Sequence, residues 1–161
     1  KIMTIKVGDK IPSIGFSIMT GDGPKGISSK EIFANKKVVL IAVPGAFTPG
    51  CSMTHLPGFV VNAEAILDKG VDTIACMSVN DAFVMGAWSA DQNAENILML
   101  ADGNGEFTSE LGLANDMSGF GMGRRAKRFG IIVENEIVTY LGIEEPGEIK
   151  VSSAEHMLEI L

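Results

Sequence analysis

Only two cysteines, Cys51 and Cys76, occur among the 161 residues of this chain. That is too few for a disulfide-stapled secreted scaffold, and it predicts a reducing compartment, the cytoplasm, where both thiols stay free for chemistry. The sequence opens at Lys1 with neither an initiator Met nor a charged-then-apolar signal segment, so an organelle is the alternative if a targeting segment has been removed. Histidine is equally scarce. His55 and His156 show no finger spacing with the two cysteines, so neither a metal nor any other cofactor is expected. No apolar run approaches the ~20 residues of a membrane span, and no membrane partner is expected. Positive charge is also in short supply: 13 Lys and Arg stand against 20 Asp and Glu, a formal net charge of −7 that excludes a broad nucleic-acid surface.

What is present is apolar material for one full core. The hydrophobic fraction is 46%, and the length suits a single domain spanning 1–161. Four continuous apolar runs, 36–43, 72–79, 97–100 and 129–133, read as strands buried on both faces. Between them Phe59, Ala63, Ile66 and Leu67 form a helical stripe closed by Gly70, and 81–90 makes a second helix. Upstream, 4–7 and the Gly/Pro-rich stretch to Gly26 read as short strands and turns, and 28–33 as a brief helix. Glu134-Asn135-Glu136 joins 129–133 to a strand over 137–143 as an antiparallel hairpin. Ser152 and Glu155 have capping-box spacing ahead of a closing helix. The layout predicts an α/β protein with a thioredoxin-like fold, a central mixed β-sheet flanked by helices with an N-terminal β extension.

Cys51 occupies the most informative position. The apolar run ends at Val43, a Pro/Gly-rich turn follows, and Thr48 and Pro49 suit the N-cap and first position of a helix. Cys51 then lies in the first turn, where unpaired backbone N–H groups favour a thiolate. A disulfide oxidoreductase would carry a second thiol two residues further on, but position 54 is Thr54. The chemistry therefore works with one attacking sulfur.

The stretch Pro44-Gly45-Ala46-Phe47-Thr48-Pro49-Gly50-Cys51 resembles the Pro-x-x-x-Thr/Ser-x-x-Cys signature of the peroxiredoxins. Its continuation through Phe59, then 76–83, Trp88, 100–102 and 124–129, is similar to the type II, or peroxiredoxin-five, branch in the same order, so the resemblance covers nearly the whole chain. It implies a peroxidase that reduces hydrogen peroxide and small alkyl hydroperoxides. Cys51 would attack one peroxide oxygen and become a sulfenic acid. Thr48 would hold thiolate and peroxide through its hydroxyl, Arg128 would place a permanent charge beside the sulfur and the leaving oxygen, and Pro44 would shield the thiolate from water. Where some members carry a resolving cysteine near the C-terminus this chain has Val151, and Cys76 matches the second cysteine of plant-like members. The favoured scheme is a one-cysteine cycle reduced by glutathione with glutaredoxin or by thioredoxin, with Cys76 as the alternative resolver. The resemblance also implies a homodimer, for which 82–88 and 117–123 offer Met, Gly and Phe. A peroxide sensor that turns over poorly is the competing function.

Other motifs read more plainly. Arg124 and Arg125 are expected to be structural or surface residues, and His55 a hydrogen-bonded helix residue. The stretch 102–106 reads as a turn rather than a calcium loop, and the glycines of 119–123 as a bend near the site.

Overall fold

The computed structural model describes residues 4–161. Seven strands form one mixed sheet, and its edges come from hairpins whose turns the sequence supplies. β1 (Phe16–Thr20) and β2 (Gly23–Ile27) pair antiparallel across a tight turn in which Gly23 adopts a φ of +105°. α1 (Ser29–Phe33) follows through a capping box: the Ser28 hydroxyl accepts from the Glu31 N–H, and the Glu31 carboxylate accepts from the Ser28 N–H.

The centre is β3 (Lys37–Ala42), β4 (Thr73–Ser78) and β5 (Leu98–Ala101), mutually parallel and joined by α2 (Leu56–Leu67) and α3 (Ala82–Asp91). β8 (Phe129–Glu134) and β9 (Ile137–Ile143) add an antiparallel edge, giving the order β2-β1-β5-β4-β3-β8-β9. Between β5 and β8 lie α4 (Glu106–Glu110) and a separate ribbon of β6 (Ala114–Asp116) and β7 (Arg124–Ala126); α5 (Ala154–Ile160) closes the chain.

Strand alternation divides the core into two layers. Val39, Ile41, Ile74 and Cys76 point to the side covered by α2, α3 and α5, where they meet Phe59, Trp88 and Met157. Val38, Leu40, Ala75 and Met77 point to the other side, against Phe33, Phe107 and Leu113. Burial on both faces explains why these strands read as unbroken apolar runs.

Several expectations need correction. Residues 4–7 form no strand; the Ile5 N–H donates to the Leu111 carbonyl, and the segment reaches β9 through an isolated bridge from Lys10 to Ile137 and through the Gly8 N–H, which donates to the Val138 carbonyl. The cap of α5 is Ser153, which accepts from the His156 N–H, while Ser152 turns its hydroxyl to Glu144. One residue of register separates the two serines, and Glu144 claims the first. The ribbon of β6 and β7 and the short α4 were not anticipated, since three to five residues are too few to show a period.

Candidate functional site

β3 delivers the chain to the site. After Val43, whose N–H donates to the Met77 carbonyl, Pro44 and Gly45 turn across the ends of the parallel strands. The turn is held at Ala46, whose N–H donates to Asn80 Oδ1, and at the Pro44 carbonyl, which accepts from Arg125 Nη1 at 3.3 Å. Gly45 is required by space: a Cβ there would sit 3.0 Å from Arg125 Nη1 and 3.2 Å from Thr48 Cγ2. Phe47 adopts a left-handed φ of +65°, an uncommon state for an aromatic residue.

The helix then begins at Pro49, and its first turn is wide. Cys51–His55 is π-helical, with the Leu56 N–H reaching the Cys51 carbonyl, before α2 continues in regular form. Trp88 anchors this turn from α3 by donating its indole N–H to Ser52 Oγ at 2.9 Å.

Cys51 is fully buried, yet its sulfur has two polar neighbours. Thr48 Oγ1 lies 2.9 Å from Sγ and 2.7 Å from the Gly45 carbonyl. It was expected to cap a backbone N–H; instead its single proton serves two acceptors. When sulfur carries a proton, S–H donates to Oγ1 and the hydroxyl donates to Gly45; when sulfur is a thiolate, the hydroxyl turns its proton to sulfur. Arg128 comes from the junction of β7 and β8 and donates from Nη2 to Sγ at 3.2 Å. Among the described residues no carboxylate lies within 4 Å of its guanidinium, so its charge is left for the sulfur. Gly50 leaves room for it, since a Cβ there would meet Arg128 Nη2 at 3.2 Å.

His55 completes the arrangement. It is 1% exposed, with Nδ1 2.7 Å from Arg128 Nη1 and Nε2 2.9 Å from the Ser152 carbonyl. A guanidinium can only donate, so Nδ1 accepts and Nε2 carries the proton. Burial, with the neighbouring Arg128 charge, lowers the His55 pKa to about 4 and keeps the ring neutral. His55 is the hydrogen-bonded helix residue expected, but its grip on Arg128 was not foreseen, because Arg128 stands 73 residues away.

A groove of about 960 Å³ opens over Thr48 and Arg128, walled by Pro44, Met117, Phe120 and Ile149. Cys51, Thr48, Pro44 and Arg128 thus come together in space. Cys76 lies on β4 beneath the same apolar layer, 0% exposed, and burial pushes its thiol pKa well above the ordinary range. Arg125 is half-buried and structural, donating also to the Met122 carbonyl at 2.9 Å. Among the described residues, no group of three His, Cys, Asp or Glu is placed to hold a metal ion, and no helix is long and apolar enough to cross a membrane.

A thioredoxin-like sheet with one polar-flanked thiol at a helix start defines a thiol-based redox protein that acts without a Cys-x-x-Cys pair. Comparison with known proteins names the family. The Redoxin family model matches residues 6–158. Peroxiredoxin-2D of Arabidopsis thaliana is 46% identical, the match covering 98% of both chains. The reduced Prx3 of Vibrio vulnificus, solved in complex with H2O2, superposes with a TM-score of 0.94 at 51% identity, covering 98% of this chain and 99% of that one. The Plasmodium falciparum antioxidant protein, described as a 1-Cys peroxiredoxin, gives a TM-score of 0.90 at 32% identity over 97% of this chain and 98% of that one. The chain belongs to the peroxiredoxins, in the type II or peroxiredoxin-five branch, and is a peroxidase oxidoreductase.

Proposed function

We propose that Cys51 is the peroxidatic residue of a thiol-dependent peroxidase acting on hydrogen peroxide and small alkyl hydroperoxides. The observation that carries this reading is the convergence of Thr48 Oγ1 and Arg128 Nη2 on one sulfur, at 2.9 and 3.2 Å. Thiolate sulfur attacks the nearer peroxide oxygen, the S–O bond forms as the O–O bond breaks, and the distal oxygen leaves as hydroxide or alkoxide. Arg128 faces the charge as it moves from sulfur to that oxygen, and a donor already in place costs no reorganisation. Thr48 donates to the thiolate, and the Pro44 turn closes the groove over it. The oxygen that leaves takes a proton from water, and Cys51 is left as a sulfenic acid. The bound peroxide of the Vibrio neighbour supports the substrate class.

External thiol completes the cycle. A glutathione or thioredoxin thiol condenses with the sulfenic acid to a mixed disulfide, its proton leaving with the sulfenic oxygen as water, and a second thiol, with glutaredoxin in the glutathione case, restores Cys51. Cys76 is not the resolver in this scheme, because a fully buried thiol with a raised pKa supplies little thiolate. The 1-Cys description of the Plasmodium neighbour supports the same reading. The working form is a homodimer, for which Phe83, 66% accessible, and Phe120, 81% accessible, offer exposed apolar side chains, to be checked by sedimentation. The chain acts as one domain over 1–161 in the cytoplasm, or in an organelle if a targeting segment has been removed; fractionation decides. Stopped-flow oxidation and intact mass after one equivalent of peroxide test the chemistry. A gain of one oxygen on Cys51 at a rate far above a free thiol supports it, and a rate no faster than a free thiol refutes it.

A further inference from the structure

We propose that Glu144 is a positioning residue for Arg128, acting through Ser152 and His55 from outside the reacting atoms. This rests on the thiol peroxidase reading and extends it to a carboxylate that makes no hydrogen bond to the sulfur. Glu144 follows β9 and holds Arg128 from two sides. Its backbone N–H donates to the Arg128 carbonyl at 3.0 Å. Its side chain begins a second, longer connection: Oε2 accepts from Ser152 N at 2.8 Å, from Ser152 Oγ at 2.6 Å and from Lys150 N at 2.6 Å. Ser152, 0% exposed, presents its carbonyl to His55 Nε2 at 2.9 Å, His55 Nδ1 accepts from Arg128 Nη1 at 2.7 Å, and Arg128 Nη2 donates to Cys51 Sγ at 3.2 Å.

The chain is unbroken and alternates in charge: carboxylate, neutral peptide and imidazole, guanidinium, sulfur. Bonds in such a series polarise one another. Burial alone would raise the Glu144 carboxyl, but the Ser152 and Lys150 donors outweigh it and hold it below the usual carboxylate range, so the group is charged at neutral pH. The 144–152 connection sets where the Ser152 carbonyl stands, and that carbonyl sets the plane of a ring whose Nε2 has no other partner among the described residues.

The sign of the effect separates positioning from simple proximity. If Glu144 were only a nearby negative charge, its removal would favour the thiolate and speed every reaction of Cys51. If it positions Arg128, its removal slows them. Purified Glu144→Ala and Glu144→Gln proteins are compared with the parent in peroxide oxidation by stopped flow and in alkylation of Cys51 by iodoacetamide at pH 7. We expect Glu144→Ala to lower both rates, the peroxide rate by about tenfold, and Glu144→Gln, which keeps an acceptor oxygen of the same reach, to lie between it and the parent. In an Arg128→Ala background, Glu144→Gln adds no further slowing, because the link to sulfur is already cut. Alkylation does not depend on peroxide, so failure of the positioning idea is read apart from failure of the peroxidase reading. Rates equal to or above the parent in both variants overturn the proposal, as does equal slowing by Glu144→Gln with and without Arg128. Should Glu144→Ala fail to fold, Glu144→Gln decides alone: slower supports, unchanged or faster refutes.

Discussion

Lowering the pH from 7 to 5 should cost this protein about 2 kcal/mol of stability through His55 alone. The ring is buried between Arg128 and the Ser152 carbonyl, and burial with the Arg128 charge lowers its pKa from 6.5 to about 4. A folded-state value below the unfolded one means that the unfolded chain binds the proton first. The contribution of His55 is therefore complete above about pH 6.5, drains away as pH falls toward 4, and levels off below that at a total loss of about 3 kcal/mol. A proton on Nδ1 also destroys the acceptor that Arg128 Nη1 uses and sets two cations 2.7 Å apart. Urea titrations of the parent and His55→Gln at pH 7, 6 and 5 isolate the effect, since other groups titrate equally in both proteins. The variant starts less stable but lacks this slope, and the two curves converge in acid. Parallel losses between pH 7 and 5 would refute the reasoning and show that the ring is not held neutral by the fold.

Arg128→Ala should slow peroxide oxidation by about a hundredfold or more, as loss of a donor aimed at developing charge does, while costing about 2 kcal/mol for the orphaned His55 Nδ1; unchanged stopped-flow kinetics would remove Arg128 from the reaction. Thr48→Val should lose about a hundredfold in the same assay and Thr48→Ser only a few-fold, because the hydroxyl rather than the methyl faces sulfur. Equal loss in both variants would point to packing instead. Cys76→Ser should melt earlier, since a hydroxyl placed in an apolar layer costs about 1–3 kcal/mol, yet turn over normally with glutathione and glutaredoxin. Loss of turnover would make Cys76 the resolver.

The strands and main helices were legible because their apolar periods are long: 38–43 and 74–77 are unbroken runs, and both lie in the doubly covered centre of the sheet. The helix start before Cys51 was legible for another reason, Pro49 being a local signal, although the Thr48 hydroxyl turns to sulfur rather than to a backbone N–H. Ser152 and Ser153 show the limit of such signals. Both are cap residues, and only Glu144, folding back eight residues from the other side, decides which one starts α5. The grip of His55 on Arg128 is hidden from the sequence for the same reason. Its two partners lie 73 and 97 residues away, and no spacing within the chain announces a ring wedged between a guanidinium and a carbonyl.

Burial alone does not distinguish the two thiols. Cys51 and Cys76 are both 0% exposed and both belong to the apolar layer under α2. What separates them is the backbone each stands on. Cys76 is in mid-strand, where its N–H and carbonyl belong to the parallel ladders with β3 and β5. Among the described residues its sulfur has no hydrogen-bond donor, and in a low-dielectric layer that state is a thiol, not a thiolate. Cys51 stands where a ladder has ended and a helix has just begun, so nearby N–H groups are still unpaired and the turn before it can carry Thr48 back to the sulfur. Arg128 reaches the same point because β8 pairs with β3 from Phe129 opposite Ala42 onward, so residue 128 lies just outside that ladder, across from the end of β3 where the Pro44 turn begins. The reactivity proposed for Cys51 thus follows from the register of one antiparallel pair. A one-residue slip of β8 against β3 would send Arg128 to the other face of the sheet and leave Cys51 as inert as Cys76.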